Sequence, residues 1–174
     1  MFILANIKHL RPMKKIKILL LALGLTTATA LTVSCDDDDS NYTPNSSIIE
    51  IFDDYYPDAT DVDWYYVGGY LVADFEYYGQ DMEAWFSYDG KWLYTKTDIV
   101  YADLPIEVQT SLITAYINYD IEDVIKITTS KYDTFYNIEI ENDNEELSLL
   151  YDDSGALIKI YANVMPYSWW DNLN

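Results

Sequence analysis

Met82-Glu83-Ala84-Trp85-Phe86-Ser87-Tyr88-Asp89-Gly90-Lys91-Trp92-Leu93-Tyr94 reads as two strands joined by a tight turn. Met82, Ala84 and Phe86 alternate with Glu83 and Trp85, the period of two that a half-buried strand requires. Asp89-Gly90 is a dipeptide favoured in two-residue hairpins, where both central residues need φ > 0. Further along, Leu147-Ser148-Leu149-Leu150-Tyr151-Asp152-Asp153-Ser154-Gly155-Ala156-Leu157-Ile158-Lys159 repeats the pattern, with a turn read as one residue longer. A motif that returns in this way points to a repeated supersecondary unit.

Upstream of the first hairpin, Ser47-Ile48-Ile49-Glu50 reads as a capping box, with serine at N-cap and glutamate at N3. The helix it opens carries Ile48, Phe52, Tyr55 and Tyr56 on one stripe and stops at Pro57. Strands follow at Val62 to Val67, Tyr70 to Tyr78, Asp81 to Tyr88 and Lys91 to Thr97, with Gly68-Gly69 and Gly79-Gln80 as turns. Downstream, Asp103-Leu104-Pro105 opens a second helix with the stripe Val108, Leu112, Ala115 and Tyr119. Four more strands follow, at Ile121 to Thr128, Tyr132 to Glu141, Glu145 to Tyr151 and Ala156 to Tyr161. Val124 or Ile125 then occupies the place of Trp64 in the first unit. The expected fold class is α+β, a tandem repeat (47–98 and 103–161) of one helix plus four antiparallel strands.

The order Phe52-x-x-x-Tyr56-Pro57, Val62-Asp63-Trp64, Tyr88-Asp89-Gly90-Lys91-Trp92 and Leu104-Pro105 resembles the PepSY-like family of secreted bacterial proteins. The resemblance runs over residues 47–161. It implies a fold similar to β-lactamase-inhibitor protein, with helices packed on one face of a curved sheet, and a secreted, non-catalytic habit. A fold of that kind does not by itself confer inhibition.

The chain of 174 residues opens with a segment that is not fold. Met13-Lys14-Lys15-Ile16-Lys17 is a basic n-region, and Ile18 to Ala30 is an apolar run without an acid, the order of a secretory signal. Met13 reads as the biological start, so residues 1–34 comprise an upstream extension (1–12) and the signal peptide. Leu31-Thr32-Val33-Ser34-Cys35 resembles the lipobox of bacterial lipoproteins, with Thr32 where that motif usually has leucine. The resemblance makes Cys35 the lipidated first residue of an acidic tether over 35–46. Asp36-Asp37-Asp38-Asp39 resembles the export tag that sends lipoproteins to the outer face of the outer membrane. An outer-membrane lipoprotein at the surface, or otherwise in the periplasm, is the expected address, with the lipid anchor as its only membrane contact.

All 30 acidic residues follow Cys35, against Lys91, Lys96, Lys126, Lys131 and Lys159, so that part of the chain carries a net charge of −25. Such a surface repels nucleic acid and anionic headgroups. His9, the only histidine, precedes the expected start, and Cys35 is the only cysteine. A serine or threonine nucleophile therefore lacks its usual base, and zinc lacks ligands. Neither Asp36 to Asp39 nor Asp152-Asp153-Ser154-Gly155 has the spacing of an EF-hand calcium loop. Neither cofactor nor resident metal is expected, and no catalytic residue can be named.

The 18 tyrosines and five tryptophans are what exceed expectation. If Leu71, Ala73, Phe75, Met82, Ala84 and Phe86 face the helices, then Asp74, Glu76, Glu83 and Trp85 face away. In the second unit Tyr136, Ile138 and Ile140 go inward, while Phe135, Asn137, Glu139 and Glu141 point out. Asp74, Glu76, Glu83, Trp85, Phe135, Glu139 and Glu141 are accordingly the candidate contacts for a basic or amphipathic protein or peptide. The rival readings are a carbohydrate-binding surface module, because aromatic platforms also stack on sugar rings, and a structural, cation-binding surface protein. Residues 162–174 form an aromatic tail that could cover Trp85.

Overall fold

Helix α1 (Ser46–Tyr55) begins where a side chain can take up a free amide. The Ile48 N–H donates to Asn45 Oδ1 at 3.1 Å, and Ser47 Oγ donates to the same oxygen at 2.6 Å. Asn45 is therefore the cap and not Ser47, so the capping-box reading is corrected: both residue types cap well, and Ser47 serves to orient the asparagine. Of the expected stripe Ile48 and Phe52 are buried, Tyr56 is half-buried, and Tyr55 lies outside against Trp92, with ring centres 4.6 Å apart. This computed structural model describes residues 42–172.

Four strands follow, β1 (Thr60–Val67), β2 (Tyr70–Tyr77), β3 (Gln80–Phe86) and β4 (Trp92–Asp98). A 3-10 turn at Tyr101–Asp103 leads into α2 (Ile106–Ala115), with Pro105 at the cap position. Val108 and Leu112 are buried as expected, whereas Ala115 is exposed and Tyr119 lies past the helix end. Strands β5 (Asp120–Thr129), β6 (Thr134–Glu141), β7 (Glu146–Asp152) and β8 (Leu157–Ala162) complete one eight-stranded antiparallel sheet in chain order. Its two edges are β1 and β8, and β8 leaves Leu157, Ile158 and Ile160 exposed.

The hairpin at Asp89-Gly90 differs from the two-residue turn expected. Ser87 and Lys91 close a three-residue loop, the Ser87 N–H donating to the Lys91 carbonyl at 2.9 Å, and only Gly90 has positive φ, +81°. The Asp152 N–H donates to the Ala156 carbonyl around an equally long loop ending at Gly155, φ +83°, so the second turn is not one residue longer. Three-residue loops of this kind need one left-handed residue, which glycine supplies without strain. Each glycine also sits under a helix. A Cβ on Gly90 would lie 2.8 Å from Ile48 Cγ1, and one on Gly155 would lie 2.9 Å from the Glu107 backbone carbon.

Register decides what each face carries. Ala73 opposes Ala84, Ala84 opposes Thr95, and Thr95 opposes Thr128, which shares its phase with Val124. Val124 opposes Ile138, and Ile138 opposes Leu149. The residues under α1 (Leu71, Ala73, Phe75, Ala84, Phe86, Trp92) and those under α2 (Val124, Ile138, Ile140, Leu149, Tyr151) therefore lie on the same face. Trp64 pairs with Ala73 and Val124 with Ile138 on that face. The opposite face has a third apolar cluster of Val72, Trp85, Leu93, Tyr94, Ile127 and Leu150. It is closed by Met165, Trp169 and Trp170 of the C-terminal tail, whose 3-10 helix spans Tyr167–Asn172.

Candidate binding face

The face away from the helices is divided along the strands. At one end lies the apolar floor under the tail. Toward the other end the same strands carry carboxylates, and the register sets them directly opposite one another. Asp63 faces Asp74, Asp74 faces Glu83, and Glu76 faces Asp81. On the far side Asp123 faces Glu139, and Glu141 faces both Asp120 and Glu146. Like charges directly opposite in a sheet destabilise it, so core stability does not account for this row.

Lys96 stands in the middle. Its ammonium is 3.2 Å from Glu83 Oε2 and 4.5 Å from the centre of the Trp85 ring. Glu83 also accepts from Trp85 Nε1 at 3.0 Å and, on its other oxygen, from the Tyr65 hydroxyl at 3.4 Å. One carboxylate thus ties β1, β3 and β4 together where the floor meets the acidic row. Burial, then the charges of Asp123, Asp81, Glu83 and Asp74, lift the Asp98 carboxyl to about 6. Asp123 is raised by burial, although the Val124 N–H it accepts at 2.9 Å and the nearby Lys96 pull the other way. Glu139 is raised by burial and then by Asp123 and Glu146. One ammonium does not balance this row.

The expected candidates divide into three groups. Asp74, Glu76, Glu83, Glu139 and Glu141 all lie in the acidic row, Asp74, Glu76 and Glu141 exposed and Glu83 and Glu139 half-buried. Trp85 points away from the helices as alternation requires, but it is only 1% exposed. It stacks on Tyr94 at 5.5 Å and 17°, and Tyr167 covers it at 5.6 Å, so its reading as an exposed contact is corrected. Phe135 is half-buried under the same tail, 6.2 Å from Trp169. Cys35 lies outside the described residues. Asp98, Asp123 and Lys96 were missed. Asp98 falls just beyond the end assigned to its strand, and Asp123 follows a break in register between Ile121 and Asp123 that obscures its phase.

Comparisons with solved structures return this fold. A BLIP-like protein from Bacteroides fragilis is 27% identical with a TM-score of 0.64, covering 74% of this chain and 94% of its own. A DUF2874 family protein from Bacteroides ovatus is 28% identical with a TM-score of 0.66, covering 70% and 89%. Another DUF2874 family protein, from Bacteroides uniformis, shares the fold at 22% identity, with a TM-score of 0.67 and coverage of 73% and 94%. No curated protein matches. The family described as beta-lactamase-inhibitor-like, PepSY-like matches residues 70–159, from the start of β2 into β8 and more than half of the sequence. The motifs around Asp89-Gly90 and Leu104-Pro105 thus lie inside that match, and the chain belongs to the PepSY-like family.

Proposed function

We propose that the chain is a non-catalytic binding module of the bacterial cell envelope whose acidic sheet face takes a basic or amphipathic protein or peptide. The observation that carries this reading is the acid-opposite-acid pairing across β1–β3 and β5–β7, around a single central lysine. Such pairing costs stability in the free protein, and a cationic partner would relieve it. Inhibition of a secreted hydrolase is one form this binding could take, supported by likeness of fold alone. The sugar-stacking alternative is less favoured, because Trp85 lies under the tail and offers no open platform.

Two further points belong to the same reading. The signal-like segment and Cys35 favour export and an acyl anchor, with Asp36 to Asp39 favouring the outer surface of the outer membrane. The matching turns at Gly90 and Gly155, each pressed on its own helix, favour descent from a duplicated helix-plus-four-strand unit.

The chain from Asp36 to Asn174 should capture a basic envelope protein, and capture should weaken as ionic strength rises. Neutralising Asp98, Asp123 and Glu139 together should weaken it further. Capture indifferent to both salt and these substitutions would sink the reading. Separately, Cys35→Ala should move the protein out of the membrane fraction. A wild-type protein that is already soluble and unacylated removes the anchor.

A further inference from the structure

The tail covers the apolar end of the face, and the fit between them is incomplete. Trp169 packs edge-on against Tyr94 at 5.1 Å, and Trp170 lies 5.7 Å from the same ring. Yet the Tyr94 hydroxyl and the Trp169 indole N–H are both buried without a hydrogen bond of normal geometry, although they are neighbours. Buried polar groups are nearly always well satisfied, so this poorly aligned pair marks a junction less closely fitted than the helix face. The tail is held by aromatic packing and by hydrogen bonds at both ends. It leaves β8 at Asn163, φ +62°, whose N–H donates to the Glu146 carbonyl at 2.9 Å, and further along the Tyr70 hydroxyl donates to Asp171 at 2.8 Å.

The floor runs without a break into the acidic row. Trp85 is two residues from Glu83, and Tyr94 is two from Lys96 and four from Asp98. Residues 162–174 contain no basic residue, so the tail packs on the aromatic end of the face and brings no positive charge to the acidic end. Beside Trp170 and Asp171 a cleft of about 420 Å³, also lined by Lys91, Leu93, Ser130 and Lys131, leaves the tail's outer margin accessible.

We propose that the floor formed by Val72, Trp85, Leu93, Tyr94, Ile127 and Leu150 is a peptide-binding groove, that its ligand is a segment with a basic residue followed by aromatic residues, and that the tail is its resident competitor. The basic residue comes first because the tail enters from the acidic end, at Glu146, and crosses toward the Gly68 turn, where Tyr167 sits. The basic part of this proposal rests on the acidic-face reading above; the groove does not.

A reversible lock tests it. A Cβ built on Gly68 lies 3.4 Å from Tyr167 Cβ, close to disulfide range, so Gly68→Cys with Tyr167→Cys in the chain from Asp36 to Asn174 can pin the tail. Two fluorescent peptides serve as probes, the sequence of residues 163–174 and the same sequence with Asn163→Lys and Val164→Lys. The reduced form should bind the lysine-bearing peptide at least tenfold more tightly than the plain one. The oxidised form should bind neither, and reduction should restore binding. Equal binding to oxidised and reduced forms, or binding to neither, overturns the groove. A dimer formed by the reduced protein and absent from the locked one assigns the groove to a second copy and overturns the partner segment. If both peptides bind the reduced form equally, the groove stands and the acidic-face reading fails.

Discussion

The two faces of the sheet are made by the same strands, yet they obey different rules. Under α1, Phe52 meets Phe75 edge-on at 4.9 Å and Trp64 at 5.3 Å. The polar atoms there are paired: Trp92 Nε1 donates to Thr95 Oγ1 at 3.0 Å, and the Tyr56 hydroxyl shares that oxygen at 2.5 Å. The opposite face has a poorly aligned polar pair, Tyr94 and Trp169, under the tail and carboxylates set against carboxylates beyond it. One face follows the rules of a core, and the other tolerates features that a core would reject. Real proteins break such consistency where function requires it.

The largest expected effect tests the helix face. Phe52→Ala should cost about 3–5 kcal/mol, read as a lower denaturant midpoint at unchanged slope. A loss below about 1 kcal/mol would mean that α1 is not part of the core. Next come two glycines with nearly equal φ, Gly155 at +83° and Gly79 at +77°. A Cβ on Gly79 meets nothing within 4 Å, whereas one on Gly155 meets the Glu107 backbone. Gly79→Val should show backbone strain alone, and Gly155→Val should lose roughly 2 kcal/mol more. Equal losses would remove the helix contact from the account.

Smaller effects sharpen the other side. Asp98 holds its proton to about 6 in the folded chain and releases it near the ordinary value, about 3.9, when unfolded. The native state therefore binds more protons between these values, and stability should fall as pH rises from about 4 to 6. Asp98→Asn should flatten part of that slope and raise stability at pH 7.5 by about 1 kcal/mol, solvent screening keeping the gain well below the full linkage value. Asp123 and Glu139 are raised too, so some slope should persist in thermal melts at pH 4.5 and 7.5. A steeper slope in the variant would contradict the sign. Smallest of all, Lys96→Gln should destabilise by about 0.5–1 kcal/mol at low salt and by less at high salt. An increase in stability would show that Lys96 does not relieve the acids around it.

Alternation made both faces readable in the sequence. Leu71, Ala73 and Phe75 went inward, and Asp74, Glu76 and Glu83 outward, because a strand's phase is local information. The cap was harder: Asn45 and Ser47 can both take an amide, and only geometry decides between them. The cover over Trp85 was harder still. Tyr167 and Trp169 reach that cluster from some eighty residues away, without a period that would announce the contact. Leu93 shows a third kind of difficulty. Phe86 pairs with Trp92 and Trp85 with Tyr94, so Leu93 is an extra residue that joins Tyr94 on the floor, which strict alternation forbids. Such bulges are set by pairing across strands and leave little trace in one strand's composition.

The exposed apolar margin of β8 has a consequence for the protein in bulk. Leu157, Ile158 and Ile160 are 41%, 42% and 48% exposed along an edge strand, a ready template for another chain, with Lys159 the only charge among them. What keeps copies apart is then mutual repulsion between strongly negative molecules. That guard acts over about 8 Å in physiological salt and shortens as salt is added. Solutions should stay clear in dilute buffer and cloud when salt is raised or the carboxylates are protonated. In such deposits β8 should be the first strand to lose amide exchange.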